Sequence, residues 1–511
     1  MKTLRLLLGD QLNFKHSWFK EVDQEVTYCL FEMRQETDYV VHHIQKVIGF
    51  FAAIRQFCEA LKSQGHHVIY YKINDKYNHQ KLDENLGALI QKHGFSKFEY
   101  QLPDEHRLDK QLQSICKSLA IPSESVSSEH FYTDRNELQE FFKGKKQYLM
   151  ETFYRYMRKK HQILIVGDNQ PEGGKWNYDK SNRKSWNDNP KVPHYKYFKN
   201  DVDVVLKDIE KAKIKTIGAF STQTFLYPIT RKQALNQLKY FCEELLQYFG
   251  DYQDAMNTEE VNLFHSRLSF ALNLKLISPK NVIDTVLNYY RKHGKNIDIS
   301  QIEGFIRQIL GWREYMRGMY WAMMPKFKNE NHLNNTNKLA SFFWDGDTKM
   351  NCLKNTIQNS LDHAYAHHIQ RLMITGNYAL LTQTHPDEVD AWYLGIYADA
   401  IEWVQLPNTR GMSQFAEGGN IATKPYVSSG SYIQKMSNYC TGCHYDYKKK
   451  TEENACPFNS LYWNFLDDKR KQLQDNQRMK MMYSILDKMD KKQVETIKKR
   501  ASDIIKNQAD Y

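Results

Sequence analysis

Several features are scarce in this chain of 511 residues, and each scarcity excludes a class of protein. Twelve prolines and 23 glycines are too few for a fibrous or low-complexity chain. The mean hydropathy is -0.70, and no apolar run approaches the roughly 18 residues that a membrane-spanning helix needs. The leucines near the N-terminus are too few for a secretory signal peptide. The sequence therefore predicts a cytoplasmic protein that makes no membrane contact.

Cysteine is also scarce, because eight residues in a chain of this length cannot form a dense disulfide framework. Four of them stand alone in apolar or helical surroundings, where a small buried hydrophobe is the expected role. These are Cys29, Cys58, Cys116 and Cys242. The other four combine a CxxC pair with a Cys-Pro step and one distant partner, namely Cys352, Cys440, Cys443 and Cys456.

Four thiolates bind either a tetrahedral zinc ion or a cubane iron–sulfur cluster. Zinc sites more often use two short cysteine pairs, whereas Cys352 lies far upstream of the other three candidates. The spacing favours an iron–sulfur cluster over zinc, and unlinked structural thiols are the third interpretation.

Aromatic and basic residues are abundant. The 33 Tyr, 26 Phe and 9 Trp exclude intrinsic disorder, and the length predicts two or three folded units. Of the net charge of +11, residues 143–199 carry +9, from 14 Lys or Arg against five acids. Tryptophan and tyrosine are interleaved with these charges, which suits phosphate contact combined with base stacking. A solvated, lysine-rich connection between domains would show the same composition.

Residues 1–140 alternate short apolar runs with amphipathic stretches. They predict strands at 4–8, 26–31, 67–73 and 97–102, and helices at 44–62 and 107–119. This alternation predicts an α/β fold built on a parallel sheet. Neither GxGxxG nor GxxxxGK[ST] occurs, so a dinucleotide fingerprint and a phosphate loop are excluded. Gly9–Leu12 follow the first strand, at the edge where such sheets bind ligands.

The rest of the chain has a different pattern. Residues 141–200 are predicted to form a basic linker, punctuated by Gly173, Gly174 and three prolines. Beyond it, helical spacing covers 234–249, 279–290, 302–321, 353–374, 387–403 and 478–506. The predicted architecture is a Rossmann-like α/β domain (1–140), the linker (141–200) and an all-α domain (201–511).

Several motifs occur in a specific order along the chain. They are Leu8-Gly9-Asp10-Gln11-Leu12, His265-Ser266-Arg267-Leu268-Ser269, Gly311–Tyr315, Asp362–His368, Trp392-Tyr393 and the four cysteines. In this order they resemble the photolyase/cryptochrome flavoproteins over almost the whole chain. The closest resemblance is to the bacterial branch that carries an iron–sulfur cluster, whose studied members repair (6-4) photoproducts in DNA. It implies a [4Fe–4S] cluster on Cys352, Cys440, Cys443 and Cys456.

The resemblance also implies a site for FAD. Its phosphates would lie at the loop of His265, Ser266, Arg267, Leu268 and Ser269, where hydroxyls, a guanidinium and backbone N–H groups suit a pyrophosphate. An ordinary helix N-cap would use the same residues. Tyr252 matches a flavin-contacting tyrosine, and Asp399 and Glu402 match the acidic stretch beside the isoalloxazine ring. The segment 399–403 departs from the family where many members have Asn near the flavin N5.

Two histidines and three aromatic residues match positions that carry chemistry in the family. His367 and His368 match the histidines that protonate or hydrogen-bond the lesion, and His368 is the better match. Imidazole suits this role because its pKa lies near working pH. Trp392, Tyr393 and Trp344 match an electron route from the surface to the flavin. Buried core histidines and core aromatic residues are the structural alternatives.

The resemblance further implies an antenna site at the first two strand-to-helix turns, for 6,7-dimethyl-8-ribityllumazine. The candidate residues are Gly9, Asp10, Gln11, Leu12, Glu32, Met33, Glu36 and Tyr39. Acidic and amide groups in such a crevice suit a polar heterocycle, whereas capped turns without a ligand are the alternative interpretation.

The resemblance predicts a monomeric, light-driven enzyme that uses FAD to repair a (6-4) lesion flipped out of UV-damaged DNA. In the basic segment, Arg183, Lys184 and Trp186 are the candidate DNA contacts. A cryptochrome-like photoreceptor with the same cofactors is the first alternative. A cluster-containing nucleic-acid-binding protein is the second, but it would not need the N-terminal sheet.

Overall fold

The computed structural model describes residues 1–221, 225 and 227–511, and its N-terminal part contains a five-stranded parallel sheet. The strands are β1 (Thr3–Leu6), β2 (Val26–Phe31), β3 (His67–Tyr71), β4 (Lys97–Gln101) and β5 (Ser123–Val126). Their order is β3-β2-β1-β4-β5, so β1 is central and pairs with β2 and β4. The predicted α/β fold on a parallel sheet is confirmed.

Alternate residues of β2 face opposite sides of the sheet and build two cores. Cys29 and Phe31 pack in the core that also contains apolar residues of the helices Leu82–His93 and His106–Ser118. Tyr28 and Leu30 belong to the other core, which includes the helix Ile44–Ser63 and continues into the helical region. One sheet face is therefore buried against the helical part of the chain.

Residues beyond 149 are mainly helical. The α-helices are Met150–His161, Asp203–Lys211, Arg231–Tyr240, Leu246–Tyr252, Ser269–Asn273, Pro279–His293, Ile299–Ile306, Glu314–Met323, Asn351–His363, His368–Gln370, Asn377–Leu381, Pro386–Ile396, Glu402–Leu406, Gly430–Met436, Pro457–Asp468, Arg470–Leu473, Lys480–Asp487 and Lys491–Lys506. Four π-helical segments continue some of them, at Phe241–Leu245, Arg307–Arg313, Arg371–Gly376 and Pro407–Ser413. Among the described residues, no helix has the length and apolar character to cross a membrane.

Short elements complete the chain. Two further helices, Arg34–Thr37 and Glu137–Phe141, lie in the N-terminal part. Two-residue strands pair His42–His43 with Thr216–Ile217 and Ile165–Val166 with Gln170–Pro171. Single 3₁₀ turns lie at Ser17–Phe19, Glu172–Gly174, Asp179–Ser181, Gly294–Asn296, Lys326–Asn329, Ser341–Phe343 and Gln508–Asp510.

Three of the stretches predicted as continuous helices are interrupted in the structure, and one of them, 478–506, breaks between Lys480–Asp487 and Lys491–Lys506. The other two breaks are in contact with each other. The stretch predicted at 353–374 breaks after His363, where Ala364 adopts a left-handed φ of 51°. The stretch predicted at 387–403 breaks at residues 397–401. The breaks support each other, because the Ala398 N–H donates to the Ala364 carbonyl at 3.0 Å. Tertiary hydrogen bonds therefore override the helical periodicity at these two points.

The segment predicted as a basic linker contains a packed helix. In Met150–His161, the side chains of Phe153 and Arg158 are fully buried. The Arg158 guanidinium donates to the carbonyls of Leu164 and Trp176, at 2.6 and 2.8 Å. The domain boundaries at 140 and 200 stay a prediction.

Candidate functional site

A cavity of about 130 Å³ lies at the carboxyl edge of the parallel sheet. Residues that follow β1, β2 and β4 line it, as expected for a ligand site in an α/β fold. Five of the eight residues predicted for the antenna are part of the lining: Gly9, Asp10, Met33, Glu36 and Tyr39. We call it the edge cavity.

The other three predicted antenna residues belong to the structure around the edge cavity. The Gln11 side-chain amide donates to the Gln101 carbonyl at 3.1 Å. Leu12 is buried in the core. The Glu32 carboxylate accepts two hydrogen bonds from the Arg55 guanidinium, at 2.7 and 2.9 Å. These side chains hold the loops that shape the cavity.

Buried charges surround the edge cavity. The Lys275 Nζ lies 2.8 Å from the Asp10 carboxylate and 3.0 Å from the Asp104 carboxylate, which ties the loop after β1 to the helical region. The Lys46 Nζ donates to two backbone carbonyls of the helical region, both at 2.7 Å. Burial lowers the pKa of Lys46 to about 7, and burial raises the pKa of Glu105 to about 7. The cavity therefore offers a polar ligand two groups, Lys46 and Glu105, whose charged forms are disfavoured by burial.

Glu402 lines the edge cavity, although the sequence analysis grouped it with the flavin residues. Its carboxylate accepts a hydrogen bond from the Tyr320 hydroxyl at 2.5 Å and pairs with the Lys328 Nζ at 2.6 Å. Its neighbours Ile401 and Trp403 line the same cavity. The structure thus places Glu402 among the predicted antenna residues.

Three segments of the helical region meet at Asp399. Its carboxylate accepts a hydrogen bond from the Ser269 hydroxyl at 2.6 Å and pairs with the Arg371 guanidinium at 3.0 Å. The Asn273 amide donates to the Asp399 backbone carbonyl at 2.5 Å. The predicted flavin residues Ser269 and Asp399 are therefore in contact. Arg371 was missed, and its signal in the sequence is a lone charge three residues after His368, at the start of the apolar run Leu372–Ile374.

Arg267 has the features of an anion-binding residue. It is 6% exposed, its φ is 53°, and its Nε and one Nη group have no hydrogen-bond partner among the described residues. The guanidinium lies over the rings of Tyr365 and Tyr195, 4.4 and 4.8 Å from their centroids. Buried N–H groups without a partner are costly, and phosphate oxygens would satisfy them. The residues present therefore fit a pyrophosphate.

The remaining residues of this loop hold its backbone. The Gln237 amide donates to the carbonyls of Ser266 and Arg267, at 2.9 and 3.0 Å. The Ser266 hydroxyl accepts a hydrogen bond from the Leu268 N–H at 3.4 Å, and Leu268 is buried in the core. The loop is thus fixed from both sides around Arg267.

His265, His367 and His368 form a cluster next to this loop. The rings of His265 and His367 stack with centroids 4.6 Å apart and an interplanar angle of 16°. His367 is 3% exposed, whereas His368 is exposed. Desolvation in a protein recess, with a smaller effect of Arg371, lowers the pKa of His368. The exposed imidazole is therefore neutral at pH 7 and accessible to a ligand.

Two of the predicted electron-route residues, Trp392 and Tyr393, lie in a series of aromatic contacts with Phe343. Trp344 is 48% exposed and follows Phe343. Trp392 donates from Nε1 to the Phe343 carbonyl at 2.9 Å, and its ring lies 5.0 Å from the Phe343 ring and 5.3 Å from the Tyr393 ring. The Tyr393 hydroxyl donates to the Arg371 carbonyl at 2.6 Å. The series of Phe343, Trp392 and Tyr393 therefore reaches the segment of Arg371, and the exposed Trp344 is next to its other end in sequence.

The four candidate ligand cysteines line one cavity of about 10 Å³. No three His, Cys, Asp or Glu side chains of the described residues converge as they would around a single ion. A cubane places each thiolate on a different iron and so spaces the sulfurs more widely than one ion does. Burial, with smaller effects of neighbouring thiols, raises the pKa of Cys440 to about 11 and of Cys456 to about 12. A bound metal centre, whether a cluster or zinc, would stabilise the thiolates.

The predicted DNA contacts lie on the surface. The Arg183 guanidinium pairs with Asp179, and the Lys184 Nζ pairs with Asp251 at 2.8 Å. The side chains of Arg183 and Lys184 are 63% and 59% exposed. The half-buried Trp186 donates from Nε1 to the Pro190 carbonyl at 2.8 Å. Phosphates that approach this surface would compete with the two carboxylates.

Tyr252 lies between this surface and the flavin-phosphate loop. Its ring packs on Phe264, with centroids 5.4 Å apart. Its hydroxyl donates to the Asn189 carbonyl at 3.3 Å, within the basic segment. Tyr252 thus connects the two predicted sites.

Comparison with known proteins identifies relatives over nearly the whole chain. The family described as "Deoxyribodipyrimidine photo-lyase-related protein" matches residues 5–225. A protein named "(6-4) photolyase" from Agrobacterium fabrum is 40% identical over 487 residues, which are 95% of this chain and 95% of that protein.

Two solved structures share the fold. A bacterial class III photolyase from Agrobacterium tumefaciens gives a TM-score of 0.59 at 12% identity, covering 99% of this chain and 97% of that one. A cryptochrome from Synechocystis sp. PCC6803 gives a TM-score of 0.55 at 11% identity, covering 81% and 82%. Both fold similarities agree with a parallel sheet followed by a helical region. Since the full-length relative is 40% identical, the chain belongs to the photolyase/cryptochrome family, among the deoxyribodipyrimidine photolyase-related proteins.

Proposed function

We propose that the chain is a light-dependent DNA photolyase that reverses (6-4) pyrimidine photoproducts in UV-damaged DNA. The observation that carries the proposal is the 40% identity, over 95% of both chains, to a protein named (6-4) photolyase. The exposed His368 beside the Asp399–Arg371 pair supports it, because it places a proton-exchanging group near the predicted flavin residues.

Family membership implies FAD, and Arg267, Ser269 and Asp399 are the residues that would hold it. When bound, reduced FAD supplies the electron that light makes available for splitting the lesion. The Arg267 guanidinium would neutralise phosphate charge with its two unpartnered N–H groups. The Arg371–Asp399 ion pair would fix the segment beside the predicted ring site.

His368 would handle the proton of the reaction. A lesion flipped out of the duplex can reach an exposed ring, whereas the buried His367 is not accessible in this way. A neutral imidazole offers one N–H donor and one nitrogen acceptor at the same time. His368 would therefore hold the lesion by a hydrogen bond and transfer one proton as the bond between the bases breaks.

The remaining cofactor proposals rest on the two cavities. Cys352, Cys440, Cys443 and Cys456 would bind a [4Fe–4S] cluster with a structural role, since their cavity is small and lies within the fold. The edge cavity would bind 6,7-dimethyl-8-ribityllumazine, whose polar ring suits a lining that combines apolar residues with Asp10, Glu36 and Lys46.

The test is to incubate the protein with oligonucleotides that carry either one (6-4) photoproduct or one cyclobutane dimer, in blue light and in darkness. We expect repair of the (6-4) oligonucleotide alone, and only in light. His368→Ala should keep its flavin absorbance but lose most of the repair, because proton handling is separate from electron supply. A protein that photoreduces flavin yet repairs neither lesion would instead be a cryptochrome-like photoreceptor.

A further inference from the structure

The stack of His265 on His367 is not explained by the proposed function. The sequence analysis placed His265 in the flavin-phosphate loop, but its ring packs parallel to His367, with centroids 4.6 Å apart. The buried His265 Nε2 and both His367 nitrogens have no well-formed hydrogen bond within the described residues. The two imidazoles, one half-buried and one buried, are therefore held largely by ring packing.

The surrounding structure fixes the ring of His265. Two non-glycine residues with left-handed backbone, Leu263 at φ 40° and Arg267 at φ 53°, flank it. The Phe249 ring packs edge-on against His265, with centroids 5.9 Å apart and an angle of 88°. His265 thus has little freedom to turn, and the ring stacked on it shares this restriction.

The charges around the stack disfavour protonation of His367. His368 and Arg371 lie on its own helical segment, and His265 lies on the facing loop. The segment 253–255 contributes the backbone carbonyls of Gln253 and Ala255, which face the rings of His265 and His367. One positive charge on either stacked ring would repel a second charge on the other, so the stack titrates as one unit. Burial together with these charges lowers the pKa of His367 well below its ordinary value.

We propose that His265 is a positioning residue for the pair His367 and His368. By stacking on His367, it fixes the plane of that ring and keeps it uncharged. His368 is then the group of the cluster that exchanges a proton with the lesion. The inference rests on the proposed function, because the lesion gives the pair its role. It assigns His265 to the histidine cluster, not to the flavin phosphates.

Two variants separate orientation from titration. His265→Phe keeps a flat ring on His367 but removes the second titrating group, whereas His265→Ala removes the ring. Phe249→Leu is the matched packing control, since it loosens the other side of His265 without changing a charge. Three quantities are measured: the rate of light-driven repair as a function of pH, the flavin absorbance of the holoprotein, and the nitrogen-15 NMR titration of the histidine rings in the dark. The NMR signal of His367 is assigned as the one that disappears in His367→Gln.

We expect His265→Ala to repair roughly tenfold more slowly at unchanged flavin content, because His367 loses its fixed position and the adjacent His368, which exchanges the proton, loses it as well. His265→Phe should retain more of the repair rate than His265→Ala, because a flat ring still packs on His367. We expect its NMR midpoint for His367 to be raised and the acidic limb of its pH profile to move upward. Phe249→Leu should leave the His367 midpoint unchanged.

Two results would overturn the proposal. One is that both His265→Ala and His265→Phe lose bound flavin in proportion to their loss of repair activity, which would mean that His265 binds the flavin. The other is an unchanged His367 midpoint in both variants. If the unmodified protein repairs no lesion, the proposed function fails, while the NMR titration in the dark still decides whether His265 controls His367.

Discussion

At the scale of single residues, the flavin-phosphate loop depends on Arg267. Its guanidinium is buried, lies over tyrosine rings and keeps two N–H groups without a partner in the described chain. We expect Arg267→Lys to lose most of its bound FAD, since an ammonium cannot reproduce the planar fork or its stacking. Absorbance of the purified protein measures the loss. Full flavin occupancy in this variant would place the phosphates elsewhere.

The cysteine cavity gives a second prediction for single residues. We expect Cys456→Ala to lower the iron content and the yield of folded protein, because a cubane needs its fourth thiolate. Cys242→Ala is the matched control, since Cys242 is a buried thiol of the helical region outside this cavity. Metal analysis decides the point. One zinc per chain in the unmodified protein would contradict the cluster.

At the scale of elements, the sequence pattern predicted four of the five strands, because each is a short run rich in β-branched, aromatic or leucine residues. It missed β5, whose sequence Ser123-Glu124-Ser125-Val126 is polar and lies at the sheet edge, where one side needs no burial. It also predicted helix through residues 364–367 and 397–401. These breaks are set by contacts between distant segments, which a local periodicity does not contain.

The interruptions explain which site residues the sequence could predict. His367 and Asp399 were predicted from their match to family motifs. Each lies next to one of the two helix breaks, and these breaks bring both residues into the candidate site. Glu402 is three residues beyond Asp399 but lines the edge cavity, because the chain turns between them and a new helix begins at Glu402. Closeness in sequence therefore did not indicate a shared site. Arg371 was missed because its partner is distant in the chain.

The surface segment 179–186 is predicted to contact DNA, and this contact can be tested. Replacing Arg183 and Lys184 together by Ala should weaken binding of lesion-containing duplex and flatten its salt dependence by about one to two phosphate contacts, each worth about 0.9 in slope. In the free protein both residues pair with carboxylates, so phosphates must displace Asp179 and Asp251.

Fluorescence anisotropy at several salt concentrations measures this slope. Lys81→Ala is the matched control, because it removes a similarly exposed ion pair with Glu84 on the α/β part of the chain. Flavin content should be unchanged in both proteins. An unaltered slope in the double variant would mean that DNA follows another surface.

At the scale of the whole molecule, His43 joins the α/β part to the helical region. Its ring is fully buried, with Nε2 donating to the Leu361 carbonyl at 2.7 Å and Nδ1 accepting from the Gln45 N–H at 3.0 Å. Both nitrogens are thus committed to one neutral tautomer. A proton on Nδ1 would remove the acceptor that caps the helix Ile44–Ser63 and place a charge between the two parts.

This contact makes stability depend on pH. Burial lowers the pKa of His43 to about 4, whereas an unfolded histidine titrates near 6.5. Between these values the unfolded chain binds more protons, so stability is lost as the pH falls below about 6.5. At pH 5 the loss from His43 is about 2 kcal/mol.

We expect the melting temperature of the holoprotein to fall between pH 7 and pH 5, and to fall less in His43→Gln. Glutamine can accept and donate in a similar arrangement but does not titrate, so it removes the pH-dependent part of the contact. Calorimetry or flavin fluorescence at both pH values measures the difference. The change in melting temperature between the two pH values is taken within each protein, so a constant packing cost of the substitution cancels. Other buried groups that titrate, such as the Asp390 carboxyl, contribute equally to both proteins. An equal drop in the two proteins would show that His43 does not link the two parts of the fold in the way its hydrogen bonds indicate.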